Sequence, residues 1–289
     1  MLERRHTPTV NDNASDHELE ELILEADHPG INDPEYVARR KYFFDVARAS
    51  RLKDEDLPQI EYSEEEHQIW QNVMTRLDDA HNRYGCDFYL QGKKELNLQA
   101  DRIPSLVELD QRLRKQHGIR LIAAEGLIDT RHFFSYLSKR IMPCTLYLRY
   151  GENPQYTPEP DTVHDVVGHV PPLMNKEYVE LIQLIGKAVA KIDDTQLLAW
   201  QRIYWFTIEF GLIEEKDTLK AMGAGLLSSF GELEYCFSDN VIRKPLDIEE
   251  IINTDYDPTR MQDILFVIPS LGELHKAVGN FIKRNALFI

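Results

Sequence analysis

The chain has 289 residues, 43% of them hydrophobic, which suits one large domain or two small ones with a real core. Its formal net charge of −16 repels phosphate backbones and anionic membranes, so nucleic acid and membranes are not expected partners. No apolar run is long enough for a membrane-spanning helix, and the N-terminal segment lacks the apolar core of a signal peptide. Cys86, Cys144 and Cys236 are far apart and form no CxxC pair, which argues against a zinc knuckle or a disulfide framework. A reducing, cytoplasmic location is therefore predicted.

The composition divides the chain at about residue 60. Residues 1–60 are predicted to be an N-terminal extension, partly disordered and partly helical, because they begin with a polar tract that is poor in apolar residues. Residues 61–289 are predicted to form the main, catalytic domain. The predicted helices of the extension are Asp16–Asp27 and a segment that Asp33-Pro34 opens and that runs to about Ala49.

The main domain is predicted to be mostly α-helical with a few short strands. Ser63 and Glu66 have the spacing of a capping box at the start of a helix that Gly85 ends. The further predicted helices are Pro104–His117, Asp161–His169, Lys176–Lys191, Asp194–Leu212, Leu226–Phe237 and Leu271–Arg284. The predicted strands are Ile119–Ala124, Cys144–Tyr150 and Ile264–Pro269, and Pro154–Pro160 is predicted to be an extended loop.

Two histidines, His164 and His169, lie five residues apart. On a regular α-helix five residues turn the chain by about 500°, which leaves the two side chains roughly 140° apart and poorly placed to share a metal. Gly168 and the pair Pro171-Pro172 loosen or end a helix at this point, so His169 can turn back towards His164. The spacing permits a chelate without establishing one, since a histidine pair at a short spacing is more often structural.

Glu209 lies among apolar and aromatic neighbours, and a buried carboxylate is costly unless it pairs with a cation or a metal. Two imidazoles and one carboxylate make the facial triad of iron(II) oxygenases, which leaves coordination positions open. A buried salt bridge to Arg202 or Arg149 is the alternative explanation of Glu209. Zinc in a hydrolytic site is the competing metal, although no glutamate lies beside His164 to act as its general base.

Other residues near these candidates have the composition of a ligand pocket. Tyr204, Trp205, Phe206 and Phe210 would line a flat apolar pocket, although such a stripe is more often plain core. The small residues of 223–229 let a ligand approach the backbone, but they do not form a P-loop. Arg149 precedes the proline-rich loop and could bind a substrate carboxylate in bidentate fashion, although a surface arginine is the commoner case.

Several long motifs resemble those of the pterin-dependent aromatic amino acid hydroxylase family. The segment Tyr156–Pro172 resembles the family's iron-site signature, and Tyr204–Leu212 resembles its second signature at the interval that the family keeps. Gly223–Leu233 matches a third motif in the right order, and Gly126–Phe134 matches a fourth more loosely. The short chain and Asp165 resemble the bacterial phenylalanine hydroxylases more than the animal members.

The resemblance implies the family's mostly α catalytic-domain fold and a monooxygenase that hydroxylates the ring of an aromatic amino acid. The implied cofactors are iron(II) and tetrahydrobiopterin or another tetrahydropterin, with molecular oxygen as co-substrate. The implied iron ligands are His164, His169 and Glu209. The implied substrate-binding residues are Arg149, Thr157 and Ser228 for the carboxylate, and Pro160, Trp205, Phe210 and Gly225 for the ring. The implied pterin neighbours are Leu127, Ile128, Phe133, Asp165 and Tyr204, with Phe133 stacking on the pterin.

The resemblance to the bacterial members also predicts a monomer, because no heptad tail is visible. Trp205 resembles the phenylalanine and tyrosine hydroxylases, and a bacterial setting favours conversion of L-phenylalanine to tyrosine. Hydroxylation of phenylalanine at the meta carbon, or of tyrosine or tryptophan, stays open at this point. A zinc-dependent hydrolase and a non-catalytic sensor of aromatic amino acids are the alternatives from other classes.

Overall fold

The structure is a computed structural model that describes residue 24 and residues 28–52, 57–152, 157 and 159–285. The helices are α1 (Pro34–Leu52), α2 (Glu64–Tyr84), α3 (Asp87–Glu95), α4 (Leu106–His117), α5 (Thr130–Ser138), α6 (Lys176–Val189), α7 (Asp194–Tyr204), α8 (Ala224–Leu227), α9 (Phe230–Tyr235), α10 (Ile248–Ile251) and α11 (Leu271–Arg284). The strands are β1 (Arg120–Ala124), β2 (Ile141–Thr145), β3 (Leu212–Glu215), β4 (Thr218–Ala221), β5 (Ile242–Pro245) and β6 (Ile264–Ile268). Two π-helical turns span His164–His169 and Trp205–Glu209, and a 3₁₀ turn spans Pro171–Met174. The predicted fold class, mostly α with a few short strands, is confirmed.

The strands form two small sheets. β1 and β2 pair in parallel, and the second sheet has the order β4-β3-β6-β5, in which β6 is parallel to both β3 and β5. β3 and β4 form an antiparallel hairpin whose turn residues, Lys216 and Asp217, have φ values of 51° and 63°. Such left-handed residues suit a two-residue turn because its twist matches that of the strands.

The ends of two helices follow the residues that the sequence indicated. Ser63 caps α2, since its hydroxyl accepts a hydrogen bond from the Glu66 N–H (3.2 Å) and the Glu66 carboxylate accepts one from the Ser63 N–H (2.7 Å). Gly118 ends α4 with a φ of 64°, a conformation that costs glycine little. The predicted helix Asp16–Asp27 and the predicted disorder before it lie outside the described residues, residue 24 apart.

The strand predicted at Cys144–Tyr150 is misplaced, since β2 spans Ile141–Thr145. Thr145 pairs with Ala124, the last residue of β1, so the ladder ends there. Residues 146–150 follow without regular secondary structure, and their backbone bonds to Asp161 and Thr162 instead. Tyr147 O accepts a hydrogen bond from the Thr162 N–H (2.8 Å).

Two predicted helices are broken in the structure. The helix predicted at Asp194–Leu212 ends at Tyr204, passes into a π-helical turn and gives way to β3. The helix predicted at Leu226–Phe237 is interrupted at Ser228-Ser229, where the Ser229 hydroxyl caps α9 by accepting a hydrogen bond from the Glu232 N–H (3.3 Å). The sequence analysis also missed α3, α5, α10, β3, β4 and β5.

Helix α1 packs on the rest of the chain through a buried face. Phe43 and Ala47 belong to the same hydrophobic core as the remaining elements, and Arg40 is buried in an ion pair with Glu159 (2.7 Å). The boundary placed at residue 60 stays a prediction. No helix within the described ranges combines the length and apolar character needed to cross a bilayer.

His81 is a fully buried polar residue on α2 that faces α8. Its Nε2 lies 2.7 Å from Leu227 O, and its Nδ1 lies 2.9 Å from the ammonium of Lys93, which also pairs with Asp78. An ammonium group only donates hydrogen bonds, so Nδ1 accepts and Nε2–H donates to the carbonyl. The ring is therefore neutral. Burial, reinforced by the nearby charge of Lys93, lowers the pKa of His81 to about 3.

Replacing His81 with glutamine is expected to weaken the acid dependence of stability. Between the unfolded histidine pKa of about 6.5 and the folded value, the unfolded chain binds the additional proton, so stability falls as the pH falls through this window. At pH 5 the contribution of His81 to this loss, relative to neutral pH, is about 2 kcal/mol in the natural chain, and His81→Gln lacks that contribution. Urea unfolding at pH 5 and at neutral pH measures the free energy of unfolding of each protein. The exposed His132→Gln is the control, and an equal pH dependence in all three proteins would contradict the assignment.

Candidate metal centre

Both segments that carry the predicted metal ligands form π-helical turns. The Val170 N–H donates to Asp165 O (3.1 Å), and the Phe210 N–H donates to Trp205 O (2.8 Å), so each bond spans five residues instead of four. A turn of this width returns a residue five places on to nearly the same side, which brings His164 and His169 together. The widened helix, and not a helix end at Gly168, resolves the unfavourable angle of an α-helix.

Glycines let these turns pack closely against neighbouring backbone. A Cβ atom on Gly168 would lie 2.5 Å from Ala224 O, and one on Gly223 would lie 2.3 Å from Glu209 O. Carbon and oxygen atoms do not approach so closely without displacement, so a larger residue at either position would separate the two ligand segments. The small residues of the 223–229 segment therefore bring α8 against both turns.

The three predicted ligand side chains meet at one point. His169 Nε2 lies 3.1 Å from His164 Nε2 and 3.1 Å from Glu209 Oε1, and His164 Nε2 lies 3.6 Å from Glu209 Oε2. Burial raises the pKa of Glu209, but the charges of both histidines and the hydrogen bond from His169 outweigh burial and hold that pKa below its usual value. Burial lowers the pKa of His164. For His169, the Glu209 carboxylate overcomes burial and raises the pKa.

The hydrogen bonds of His164 select the tautomer that a metal requires. Ser228 Oγ lies 2.7 Å from Ala224 O and donates to it, so the same hydroxyl accepts from His164 Nδ1–H at 3.0 Å. The Nε2 lone pair of His164 then points to the other two ligands. A metal-bound histidine commonly donates its second ring N–H in this way. Ser228 therefore orients His164.

The residues fit a divalent transition metal. For bonds of about 2.1 Å, donors at right angles around a metal lie about 3 Å apart, which matches the observed spacing of the three donor atoms. Among the described residues, His164, His169 and Glu209 form the cluster of metal-binding side chains, with donor atoms within 4.8 Å of one another. His169 Nδ1 and the hydroxyls of Tyr178 and Tyr204 are buried without a hydrogen-bond partner among the described residues, so polar occupants are needed nearby.

The alternative explanation of Glu209, a buried salt bridge to an arginine, is not what the structure contains. Arg202 pairs with Asp255, and Arg149 pairs with Asp161. The side chains within ion-pair distance of Glu209 in the described ranges are the two histidines, which carry a charge only when they are protonated.

A cavity of about 720 Å³ adjoins this cluster. That volume suits small ligands, and its walls are mainly apolar and aromatic. The predicted site residues in its walls are Leu127, Ile128, Phe133, Arg149, Thr157, Pro160, His164, Tyr204, Trp205, Glu209, Phe210, Gly225 and Ser228. Two predicted residues are set back from it. His169 is buried behind the other ligands, and the Asp165 carboxylate accepts hydrogen bonds from the Thr145 N–H (2.7 Å) and hydroxyl (2.8 Å).

Two groups of aromatic rings line the cavity. Trp205 packs against Phe210 with ring centroids 4.5 Å apart and stacks on Tyr256 at 4.3 Å. Phe133 meets the edge of Tyr204 at 5.4 Å. Gly225 belongs to the first group, because a Cβ atom there would lie 2.6 Å from the Phe210 ring. The cavity walls therefore contain two groups of aromatic rings, together with His164 and Glu209 of the metal cluster.

Arg149 is held rigidly at the cavity wall by Asp161. Its Nε donates to Asp161 Oδ2 (2.9 Å) and its Nη2 to Oδ1 (2.8 Å), and both side chains are buried. Burial alone would raise the pKa of Asp161, but the Arg149 guanidinium holds that pKa below its usual value. Two bonds to Asp161 fix the plane of the guanidinium, all of whose five N–H groups are donors.

The sequence analysis missed several residues of the cavity wall. They include Glu159, Gln201, Glu232 and the segment Tyr256–Met261. Glu232 lies inside the motif Gly223–Leu233, where an acidic residue in a largely apolar run was the available signal. Tyr256 and its neighbours come from a distant part of the chain and carry no local pattern that points to the site.

A helical fold with two histidines and one carboxylate beside an aromatic cavity defines a class of mononuclear metal protein. A sequence profile described as biopterin-dependent aromatic amino acid hydroxylase matches residues 11–286 of this chain. The chain belongs to that family.

Individual relatives agree with this result. The phenylalanine-4-hydroxylase of Bos taurus is 40% identical over 262 residues, which cover 89% of this chain and 58% of the relative. The tyrosine 3-monooxygenase of Schistosoma mansoni is 33% identical over 266 residues, 91% of this chain and 57% of the relative. The chain thus spans somewhat more than half the length of these relatives.

A solved structure supports the same fold. The crystal structure of the Chromobacterium violaceum phenylalanine hydroxylase with bound oxidised Fe(III) matches with a TM-score of 0.76 and 33% identity. The match covers 83% of this chain and 91% of that chain. The prediction of the family from the sequence motifs is confirmed.

Glu209→Gln is expected to lower the affinity for Fe(II) by more than about 100-fold, since changes beside metal ligands alone cost up to that factor. The amide keeps the shape of the side chain but removes the only negative donor. Anaerobic equilibrium dialysis with metal analysis measures the affinity. Glu214→Gln, an exposed change of the same kind on β3, is the control. Natural iron affinity in Glu209→Gln would remove this carboxylate from the site.

Proposed function

We propose that this chain is an iron(II)- and tetrahydropterin-dependent monooxygenase that uses molecular oxygen to hydroxylate the ring of L-phenylalanine, giving tyrosine. The observation that carries the proposal is the cluster of His164, His169 and Glu209, of which His164 and Glu209 line a cavity that also has two groups of aromatic rings in its walls. One group would hold the ring of the amino acid and the other would hold the pterin.

His164, His169 and Glu209 would hold iron(II). When bound, iron(II) and the tetrahydropterin supply the activation of molecular oxygen, a chemistry that amino acid side chains lack. The chain contributes the orientation of its ligands. Ser228 fixes the ring of His164, and the buried surroundings of Glu209 keep the carboxylate facing the two imidazoles.

The substrate would lie on the surface formed by Trp205 and Phe210. Its carboxylate would bind to Arg149, whose plane Asp161 has already oriented. Its ring would be enclosed by apolar walls, which exclude water from the carbon that reacts. Thr157 and Ser228 are also assigned to the carboxylate, and each hydroxyl would have to turn away from the backbone carbonyl to which it donates, Glu159 O (2.7 Å) for Thr157 and Ala224 O (2.7 Å) for Ser228. Pro160 and Gly225 are assigned to the ring.

The pterin would lie against the second aromatic surface, around Phe133. Leu127 is 73% exposed although it is large and apolar, which suits a residue at the mouth of a binding site. The remaining residues assigned to the pterin are Ile128, Asp165 and Tyr204. Asp165 would act from behind His164, because its own carboxylate bonds to Thr145.

Phenylalanine is favoured over tyrosine by the comparisons. The bovine phenylalanine-4-hydroxylase is more similar to this chain than the schistosome tyrosine 3-monooxygenase, and the Chromobacterium structure is also of a phenylalanine hydroxylase. The apolar wall at Trp205 and Phe210 fits an unsubstituted ring. We assign the para carbon because the bovine relative is named for that position.

The activity is tested with the full chain, Fe(II), a tetrahydropterin, oxygen and L-phenylalanine, with tyrosine and tryptophan as further substrates. Mass and retention time are compared with ortho-, meta- and para-tyrosine. We expect para-tyrosine, formed only when iron and pterin are both present. Meta-tyrosine would correct the ring position, and turnover with zinc or no product from any of the three amino acids would overturn the proposal.

Arg149 is tested with the pair of changes Arg149→Met and Asp161→Asn, because removing the arginine alone would leave a buried, unpaired carboxylate. The apparent KM for phenylalanine is expected to rise by about 100-fold, while that for the pterin changes by less than about threefold. Steady-state kinetics measure both constants, and Arg284→Met, at an exposed ion pair with Glu249, is the control. The reverse pattern would assign Arg149 to the pterin.

We further propose that the protein is a cytoplasmic monomer. Cys86, Cys144 and Cys236 are free and buried, which suits a reducing compartment. Light scattering on the purified chain tests the oligomeric state, and fractionation of the source cells tests the location.

A further inference from the structure

Three glutamates line the cavity, and two of them have positive or metal-binding partners. Glu159 pairs with Arg40 at 2.7 Å, and Glu209 faces the two histidines. Glu232 differs from both. Among the described residues its carboxylate lies within ion-pair distance of no cation, and its hydrogen bond comes from the backbone N–H of Gln262 at 3.5 Å.

The surroundings of Glu232 make this arrangement costly. Burial raises the pKa of Glu232 to about 7; the hydrogen bond from the Gln262 N–H opposes this rise, and the nearby charge of Asp263 adds to it. A largely buried carboxylate with one long hydrogen bond is normally compensated by a cation. Since the side chain lines a cavity sized for a ligand, the missing cation is one that a ligand can bring.

Glu232 is near Ser228 in sequence and is linked to Trp205 by hydrogen bonds. It lies on the first turn of α9, four residues after Ser228, whose hydroxyl bonds to His164. Gln262, which donates its backbone N–H to Glu232, also accepts a hydrogen bond from Trp205 Nε1 (3.1 Å). Hydrogen bonds of Gln262 therefore connect the Glu232 carboxylate to Trp205.

We propose that Glu232 binds the α-ammonium group of the amino acid substrate and thereby selects amino acids over aryl acids that lack the amine. This inference rests on the proposed function. An α-amino acid is a zwitterion, so a site that recognises it needs an acceptor for the ammonium group as well as donors for the carboxylate. Arg149 supplies donors in the same cavity, and Glu232 is its acidic counterpart.

Arg260 supplies the competing explanation. It also lines the cavity, and its Nε lies 3.2 Å from Asp257 Oδ2, so its side chain could turn from Asp257 to Glu232. In that case the carboxylate would stabilise the loop, and its removal would weaken every ligand of the cavity alike. Selectivity between an amine and its deaminated analogue distinguishes the two roles, because a structural effect does not depend on the amine.

The experiment measures binding of L-phenylalanine and of 3-phenylpropionate to the full, iron-loaded chain with a tetrahydropterin, without oxygen. Glu232→Gln is expected to weaken phenylalanine binding by about 10- to 100-fold and phenylpropionate binding by less than about twofold. Glu232→Asp, which keeps the charge, is expected to recover part of the selectivity. Glu234→Gln, an exposed change on the same helix, should match the natural chain.

Equal effects of Glu232→Gln on both ligands, or no effect on either, would overturn the assignment of Glu232. Melting temperature and iron content, measured on the same samples, identify a misfolded variant. If Glu232→Gln is misfolded, the selectivity of Glu232→Asp tests the assignment instead. The two proposals fail differently. A natural chain that hydroxylates phenylalanine while Glu232→Gln keeps full selectivity refutes this inference alone, whereas a natural chain inactive on all aromatic amino acids refutes both.

Discussion

The burial of one carboxylate, that of Glu209, is the constraint on which this site depends. A negative charge among aromatic side chains is stable only with positive or metal partners close by. Two imidazoles within 3.6 Å meet that need, but they come from a separate segment of the chain. Bringing the segments together requires widened helical turns at both, and it requires Gly168 and Gly223, which lack the Cβ atoms that would hold the backbones apart.

The members of the candidate metal cluster were predictable from the sequence, whereas the path of the backbone that joins them was not. Residue types and motif order pointed to His164, His169 and Glu209. The apparent obstacle of a five-residue spacing came from assuming α-helical geometry. A π-helical turn differs from an α-helix by one accommodated residue, and no residue type marks it reliably. The broken helix at Tyr204 has the same origin, since the turn that presents Glu209 leaves the helical pattern of side chains nearly unchanged.

The remaining errors concern contacts between distant parts of the chain. β2 ends at Thr145 because its partner β1 ends at Ala124, and a strand's own residues do not reveal the length of its partner. Similarly, Trp205 and Phe210 were predictable as a wall because they neighbour Glu209 in sequence. Tyr256, which stacks on Trp205 at 4.3 Å, comes from a segment about fifty residues later, and periodicity carries no information about such contacts.

Asp161 links the proposed substrate site to the metal centre. Its Oδ1 accepts hydrogen bonds from Arg149 Nη2 (2.8 Å) and from the His164 N–H (3.1 Å). One buried carboxylate therefore sets both the plane of the guanidinium and the start of the turn that carries two ligands. A substrate held by Arg149 would be placed relative to the metal through this single side chain. Since reactions of bound substrates lose rate steeply with small misplacements, a shared rigid anchor is a physical reason for burying an ion pair beside the cavity.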